Sequence, residues 1–527
     1  MKTAIADLVK RMTGGREDVA KLCVRAIGAS DDYDETDGGN VCCRLSRDEA
    51  ALLDEVPGIV SVVTADTNPD AVDTPFVRFG DLLYTRRNWR YEQIVRSRVT
   101  AMSCAPWLSD VSVPQREEYV MLRPEDQLSA IPTLLAYRFS ILTGGPGTGK
   151  TFTLGKAVNL LRERMPDARI ALAAPTGKAA ARINESLADL KKQGLLDGIQ
   201  PATTLHALLG TNPDFVSFKH NRSNPLPMDW LVVDEASMIG LPLMAKLLDA
   251  LPPECALTLI GDSHQLASVE QGRVFGDLCD LFDHNVAKLM ISKRFPSGGT
   301  IDCLASAVNS GRDGSFDAVM AVLREDKEAG FRDISGKDPF EPARWYDFQN
   351  TVRNGFGEFS QCSGAVAALE KLNGFRVLCV LRKGPYGAES LNEYIKRQLG
   401  KKCPMPVMIT RNDHSLEVQN GDVGVVMPDE PQYIYLQTLE RGVRKIRLEL
   451  LNDTELAFAT TIHKAQGSEF GNVSIVMPPK ADLPLLTREI LYTGITRTKG
   501  AIRIYAGEAS VKACCEKSVV RETGLKK

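Results

Sequence analysis

Eight consecutive residues, Gly144-Gly145-Pro146-Gly147-Thr148-Gly149-Lys150-Thr151, have the composition and spacing of a phosphate-binding loop. Glycines let the backbone curl until several N–H groups face a polyphosphate at a positively polarised helix start. Lys150 can then reach the terminal phosphates of a nucleoside triphosphate, and the Thr151 hydroxyl can hold magnesium. A second group follows an apolar run, where Leu231-Val232-Val233 leads straight into Asp234-Glu235. Asp234 would complete the magnesium site with Thr151, and Glu235 would polarise the water that attacks the γ-phosphate. Gly261-Asp262-Ser263-His264-Gln265 follows the next apolar run. Gln265 is a phosphate sensor if the strand order brings it to the nucleotide, and otherwise a polar turn residue. Gln127 stands ahead of the first strand, and its amide can pair bidentately with adenine.

These groups need a scaffold that delivers strand ends to one edge. Strand-like runs at 139–142, 170–173, 230–233 and 257–260 alternate with helical segments, and Leu154, Val158 and Leu161 recur at helical spacing. Such alternation predicts a parallel sheet with helices on both faces, ligands collecting at the carboxyl ends of its strands. A second α/β series begins at 376–381 and resumes at 473–477 and 502–505. Between about 403 and 455 the chain is rich in β-branched residues and short turns such as Asn420-Gly421, which predicts a small β-barrel insertion. The first 75 residues, with an acidic stretch after Asp31, read as a small N-terminal domain. A strand and helix are expected over 76–99, then a linker marked by Pro106, Pro114 and Pro124, with the motor starting near Leu122.

A length of 527 residues exceeds one hydrophobic core and suggests about three or four domains. With 25% charged and 43% hydrophobic residues the chain is neither disordered nor membrane-spanning, and its start lacks a secretory apolar region, so the cytoplasm is expected. The twelve cysteines are dispersed except for Cys42-Cys43 and Cys514-Cys515 and show no metal-ligand spacing, so reduced packing thiols are expected. A formal charge of −3 offers no basic surface, and any nucleic-acid contact must come from a local groove and backbone donors.

The order of segments carries a resemblance. The phosphate loop is followed by Ala174-Pro175-Thr176-Gly177-Lys178-Ala179-Ala180, Thr204-Leu205-His206, Asp234-Glu235-Ala236-Ser237, Lys293-Arg294-Phe295, the run 460–470 and Tyr492-Thr493-Gly494-Ile495-Thr496-Arg497. This resembles superfamily 1 DNA helicases. Segments 242–252, 263–279, 381–395 and 406–426 narrow the resemblance, over roughly residues 76 to 510, to the RecD family, alpha subunits of bacterial exodeoxyribonuclease V (RecBCD). The first 75 residues match it only loosely.

The resemblance implies an α/β fold of two RecA-like P-loop NTPase lobes with parallel sheets, a small SH3-like β-barrel insertion in the second lobe and a small N-terminal domain. The expected division is 1–115 for the N-terminal domain and linker, with a subunit-docking role, and 116–296 for lobe 1, with a strand-splitting hairpin or a plain loop near 211–227. Lobe 2 takes 297–402 and 456–527, and the insertion 403–455. ATP and Mg2+ are implied. Gln127, Gly144, Gly145, Pro146, Gly147, Thr148, Gly149, Lys150 and Thr151 would bind ATP, and Thr151 and Asp234 the metal. Lys150, Glu235 and Gln265 would act with Arg294 and Arg497, the two arginines reaching across from the second lobe. Pro175, Thr176, Lys178, Thr204, His206, Thr461, His463 and Gln466 would face single-stranded DNA, with His206 and His463 alternatively ordinary packed histidines.

The implied activity is ATP-driven 5′ to 3′ movement on DNA within a complex with RecB-like and RecC-like chains that processes double-strand breaks. No compact acidic nuclease motif is present, which leaves cutting to a partner. A stand-alone RecD-like helicase is the near alternative, and such chains usually carry a longer helix-hairpin-helix extension. A catalytically silent subunit that sits on DNA ends is the distant one, against which Lys150, Thr151, Asp234, Glu235 and both arginines argue.

Overall fold

The structure is a computed structural model that describes residues 7–526 except 9, 13, 30–38, 109–124, 193–198, 212–216, 312, 336–341, 414 and 439–441. The acidic stretch after Asp31, Pro114, Pro124 and Phe215 of the expected hairpin lie outside the described residues.

Four short strands form the N-terminal sheet: β1 (Cys43–Arg44), β2 (Val60–Val63), β3 (Phe76–Phe79) and β4 (Leu82–Thr85), in the order β1-β4-β3-β2. Val19, Cys23, Leu53, Val60, Phe76 and Leu83 give it a core of its own. Lobe 1 follows with β5 (Phe139–Gly144), β6 (Ile170–Ala174), β7 (Thr203–Thr204), β8 (Trp230–Val233), β9 (Ala256–Gly261) and β10 (Val286–Leu289). All pair in parallel, in the order β10-β5-β9-β8-β6-β7.

The inner strands are continuously apolar because helices cover both faces. Leu142, Val232 and Ile260 pack with Leu154, Val158, Ile183 and Leu187 of helices Lys150–Arg164 and Gly177–Lys192. The alternate residues Ile141, Leu231, Val233 and Leu259 pack on the other face with Leu247, Leu248 and Val274. Val95 and Val99 of helix Arg86–Cys104 join that second core. This helix was expected within the N-terminal unit ending at 115, but its apolar stripe closes lobe 1.

Lobe 2 opens with β11 (Phe331–Asp333) and β12 (Phe375–Cys379). The insertion then supplies β13 (Met405–Ile409), β14 (Val423–Val426), β15 (Tyr433–Thr438), β16 (Gly442–Arg447) and β17 (Thr454–Leu456), antiparallel in the order β16-β15-β14-β13-β17. Val407, Ile409, Val426, Ile434 and Ile446 form a core within it. The expected small β unit is thus a five-stranded antiparallel sheet wrapped on its own core, and no ladder joins β16 to β17 among the described residues. Lobe 2 resumes with β18 (Ala459–Thr461), β19 (Asn472–Val476) and β20 (Ile502–Ala506), and its parallel sheet runs β11-β20-β19-β12-β18.

After helix Glu508–Glu516 the chain leaves the lobe to which 456–527 had been assigned. Residues 518–526 cross to the N-terminal sheet and lobe 1 as a strap. The Val41 N–H donates to the Glu522 carbonyl (3.0 Å), and the Glu522 N–H to Asn40 Oδ1 (2.8 Å). Lys526 pairs with Asp277 (3.2 Å) and Asp280 (2.6 Å) of lobe 1. The anchor is Glu92, fully buried, whose carboxylate accepts from the Tyr84 hydroxyl (2.9 Å), the Thr523 hydroxyl and the Gly524 N–H (3.0 Å). A buried carboxylate with several donors is destabilising to dismantle, since each donor loses its partner away from water. Glu92→Ala is expected to destabilise the chain by about 2–3 kcal/mol. Thermal unfolding measures this, and limited trypsinolysis should cut faster after Lys517 and Arg521.

Candidate active site

The phosphate loop is held by two neighbouring segments, the connector after β10 and the helix that carries Gln127. Gly147 and Gly149 have φ of 77° and 88°, in the left-handed region that side chains disfavour. A Cβ at Gly147 would lie 2.3 Å from that of Arg294, and one at Gly149 2.3 Å from Gln127 Nε2. The connector after β10 is fastened to the loop, with the Lys293 N–H donating to the Gly147 carbonyl (2.8 Å) and the Ser292 hydroxyl to that of Pro146 (3.0 Å). Arg294 therefore rises from a strip bound to lobe 1, and does not reach across from lobe 2. Gln127 is buried, donates to the Thr148 carbonyl (2.7 Å) and accepts from the Lys293 ammonium (3.4 Å). Its amide thus braces the loop from behind in this structure. Lys150 donates to the carbonyls of Gly144 (2.7 Å) and Gly145 (3.0 Å).

The carboxylates emerge from the adjacent strand ends. Asp234 follows β8 and accepts from the Glu235 N–H (2.7 Å), while Glu235 is held at a φ of 52°, rare for a non-glycine residue. Burial and then the Glu235 charge push the Asp234 carboxyl up to about 6, against the pull of Lys150. The Asp234 carboxylate, with the Thr151 hydroxyl lining the same cavity, offers oxygen donors suited to a hard divalent cation.

Because β9 lies between β5 and β8, the residues after it emerge beside both groups. Gln265 donates to Asp262 Oδ2 (3.1 Å), and Asp262 stays below the usual carboxylate range despite burial because His264 and Lys150 offset it. Lobe 2 docks there. Tyr492 donates its hydroxyl to Asp262 Oδ2 (2.9 Å), and Thr493 Oγ1 accepts from the Leu266 N–H (3.0 Å). Arg497 is buried, donating to the carbonyls of Thr493 (3.1 Å) and Ser468 (3.4 Å), and its pKa is lowered by burial but supported by Glu235. Lys150, Thr151, Asp234, Glu235, Gln265, Arg294 and Arg497 all line one cavity of about 250 Å³.

The candidate nucleic-acid residues divide. Thr176, Thr204 and Thr461 stand just beyond or at the ends of β6, β7 and β18; the first two hydroxyls accept helix-start N–H groups, of Ala179 (3.2 Å) and Ala207 (3.1 Å), and Thr461 accepts the Lys464 N–H (3.3 Å) within the turn after β18. Pro175 links β6 to this start. Lys178 lies where the insertion meets lobe 1, opposite Asp422, and burial followed by Arg376 lowers its pKa to about 8. The Gln419 carboxamide sits so close to Gly177 that a Cβ there would overlap it. His206 is exposed and meets Phe218 edge-on (5.7 Å). His463 is pushed down to about 4 by burial, with Arg521 of the strap adding to it, so it is a neutral packed ring near pH 7. Gln466 departs from the expected DNA-facing set, because its amide is spent on the Leu266 carbonyl (3.2 Å) at the lobe interface. Near 211–227 the described residues show a bridge between Asn221 and Asn224 and no stranded hairpin.

Three groups in the crevice had no role in the sequence reading: Tyr492, Glu469 and Arg182. The first two lie inside quoted motifs, but their partners are distant in sequence and no local pattern announces them. Arg182 could be noticed only as the residue one helical turn beyond Lys178.

Residues 127–271 match a family model described as an AAA domain, and 456–505 one described as a UvrD-like helicase C-terminal domain. Together with the phosphate loop, the acid pair and two parallel sheets meeting at one crevice, they define an ATP-hydrolysing DNA helicase. The RecBCD enzyme subunit RecD of Mycolicibacterium smegmatis is 40% identical, over 93% of this chain and 91% of that protein. The RecD subunit of Haemophilus influenzae is 32% identical, over 84% of this chain and 80% of its own. The chain belongs to the RecD family. The ATP-dependent RecD2 DNA helicase of Deinococcus radiodurans is 31% identical over 73% of this chain but only 49% of that protein.

The strained acid yields a stability test. Glycine accepts a positive φ freely, so Glu235→Gly should raise stability by about 1 kcal/mol in thermal unfolding, although the carboxylate is gone.

Proposed function

We propose that this chain is the alpha, motor subunit of a RecBCD-type complex, moving 5′ to 3′ along single-stranded DNA by hydrolysing ATP at double-strand breaks. The observation that carries this reading is the convergence of Lys150, Glu235, Gln265, Arg294 and Arg497 on one crevice whose two walls belong to different lobes.

The loop N–H groups and Lys150 bind the β- and γ-phosphates, with Lys150 exchanging its two carbonyl acceptors for phosphate oxygens. Thr151 and Asp234 would hold Mg2+, which would supply charge neutralisation at the phosphates. Glu235, turned into the cavity by its left-handed backbone, orients the attacking water and takes its proton. Gln265 reads the γ-phosphate through its link to Asp262. Arg294 and Arg497 stabilise the charge that develops as the phosphoryl group leaves, as preorganised cations do in a water-poor site. Loss of that phosphate loosens the contacts made by Arg497, Tyr492 and Thr493, and the lobes part; renewed binding closes them.

The DNA strand runs across the helix starts at Thr176 and Thr204 and the turn at Thr461, whose remaining N–H groups donate to phosphate oxygens without reading sequence. Lys178 adds a cation there. Partners are RecB-like and RecC-like chains, a reading supported by the extent to which RecD subunits and this chain cover one another. The stand-alone alternative is less favoured, because the RecD2 relative is matched over only 49% of its length. Residence in the cytoplasm is proposed with DNA as the substrate; among the described residues no helix is long and apolar enough to cross a membrane.

Lys150→Gln should lower DNA-stimulated ATPase activity by about 100-fold or more while the melting temperature stays unchanged. Near-normal turnover would refute the assigned phosphate site. On tailed duplexes, unwinding is expected from 5′ tails, and unwinding from 3′ tails alone would overturn the polarity.

A further inference from the structure

Glu469 joins segments that are otherwise held apart by the crevice. Its Oε1 pairs with Arg182 of helix Gly177–Lys192 in lobe 1 and with Arg294 of the connector (2.8 Å), and its Oε2 with Lys499 of lobe 2 (3.3 Å). The carboxylate is largely buried, its side chain 13% exposed, so these attractions are less screened by water than surface pairs. Arg182 belongs to a helix face that turns toward the phosphate loop, since Ala179, Ile183 and Ser186 line the same cavity as Lys150 and Thr151. The cations remain crowded despite Glu469. Burial, then Arg182 and Arg497, lower the pKa of Arg294 to about 10.

Arg182 and Glu469 also form a partition. They line the nucleotide cavity on one side and, on the other, a second cavity of about 350 Å³ bordered by Lys178, Arg376, Thr460, Lys464 and Asp422. Lys178, the cation assigned to DNA, precedes Arg182 by one turn of the same helix.

We infer that Arg182 is a third arginine of the ATP site and that Glu469 is its positioning residue, an internal anion that holds Arg182 and Arg294 and yields them to the γ-phosphate of the nucleotide. This rests on the ATPase reading above. A γ-phosphate carries more charge than one carboxylate and offers oxygens to both guanidiniums at once, so it displaces Glu469 as the shared acceptor. An ADP molecule brings no group to that position and leaves the pairs intact. The exchange therefore discriminates between the two nucleotides. Because helix Gly177–Lys192 carries both Lys178 and Arg182, a phosphate of DNA drawn to Lys178 shifts the helix that must release its arginine. Glu469 thus restrains hydrolysis until DNA is engaged.

The test compares full-length wild type with Glu469→Gln, Arg182→Gln, Arg182→Lys and the Arg182→Gln/Glu469→Gln double variant. Steady-state ATPase rates with and without single-stranded DNA are measured, with ADP affinity from product inhibition. Glu469→Gln should lower the KM for ATP by about three- to tenfold, leave ADP binding unchanged and raise the DNA-free rate, so that the stimulation by DNA shrinks. Arg182→Gln should raise the KM for ATP by about tenfold, again with ADP unchanged, and Arg182→Lys should recover part of the loss. In the double variant the gain from Glu469→Gln should fall well short of its single-variant size.

If Glu469→Gln leaves the KM unchanged, or weakens ATP and ADP equally, Glu469 is a lining residue and the inference is overturned. If Glu469→Gln fails to give a folded chain in thermal unfolding, the Arg182 variants decide: equal KM in Arg182→Gln and wild type overturns it. Lys150→Gln in the same assay separates the two levels of failure. Retained ATPase activity there removes the phosphate site itself, whereas its loss together with unaltered Glu469 and Arg182 variants removes only the exchange.

Discussion

Every strand of the lobe 1 sheet runs the same way, and this single constraint sends β5, β8 and β9 out at one edge with the phosphate loop, the acid pair and Gln265 at their tips. Parallel pairing requires crossover helices, and those helices begin at the same edge, so N–H groups and carboxylates accumulate there together. An anionic substrate meets donors from the helix starts and a hard cation meets the acids. Lobe 2 adds what one sheet lacks: a buried arginine and a tyrosine hydroxyl that ties the docking helix to Asp262. The crevice is polar on both walls, which suits a seam that must open and reclose; an apolar seam would be harder to part in water.

A related geometry recurs at the proposed DNA face. Thr176 and Thr204 each cap a helix that starts where a parallel strand stops, and Thr461 closes the turn after β18 in the same way, its hydroxyl accepting an N–H three residues on. A cap satisfies one N–H and leaves its neighbours unpaired by that side chain, so the proposed DNA path is a row of backbone donors that needs no basic surface, in keeping with a net charge of −3.

The strand runs at 139–142, 230–233 and 257–260 were legible because buried parallel strands are uninterrupted apolar text, and the loop at 144–151 because its glycines are dictated by local backbone shape. Both are properties of adjacent residues. What escaped is non-local. Gln127 and Gln466 have amides suited to a base or a phosphate, and only the folded chain reveals that the Thr148 and Leu266 carbonyls claim them. Arg294 was singled out by its motif and placed on the second lobe, whereas its connector is hydrogen-bonded to Pro146 and Gly147 of lobe 1, which spacing does not reveal. Helix Arg86–Cys104 followed the same logic: its apolar stripe is visible in the text, but which core it closes is not.

The strap at 518–526 imposes an order on assembly. Glu92 meets Thr523 across a separation of 431 residues, and the Val41 N–H finds the Glu522 carbonyl over a comparable span. During synthesis the N-terminal sheet emerges first, yet these acceptors and donors reach it only after both motor lobes have been made. Until then Glu92 retains only the Tyr84 hydroxyl and a newly made N-terminal region stays loosely closed. The surface around Val41, Arg44 and Glu92 is therefore completed last, and a ribosome-bound or truncated chain presents a different face there from the finished molecule. Connectivity thus makes the front of the chain whole only once the lobes behind it exist.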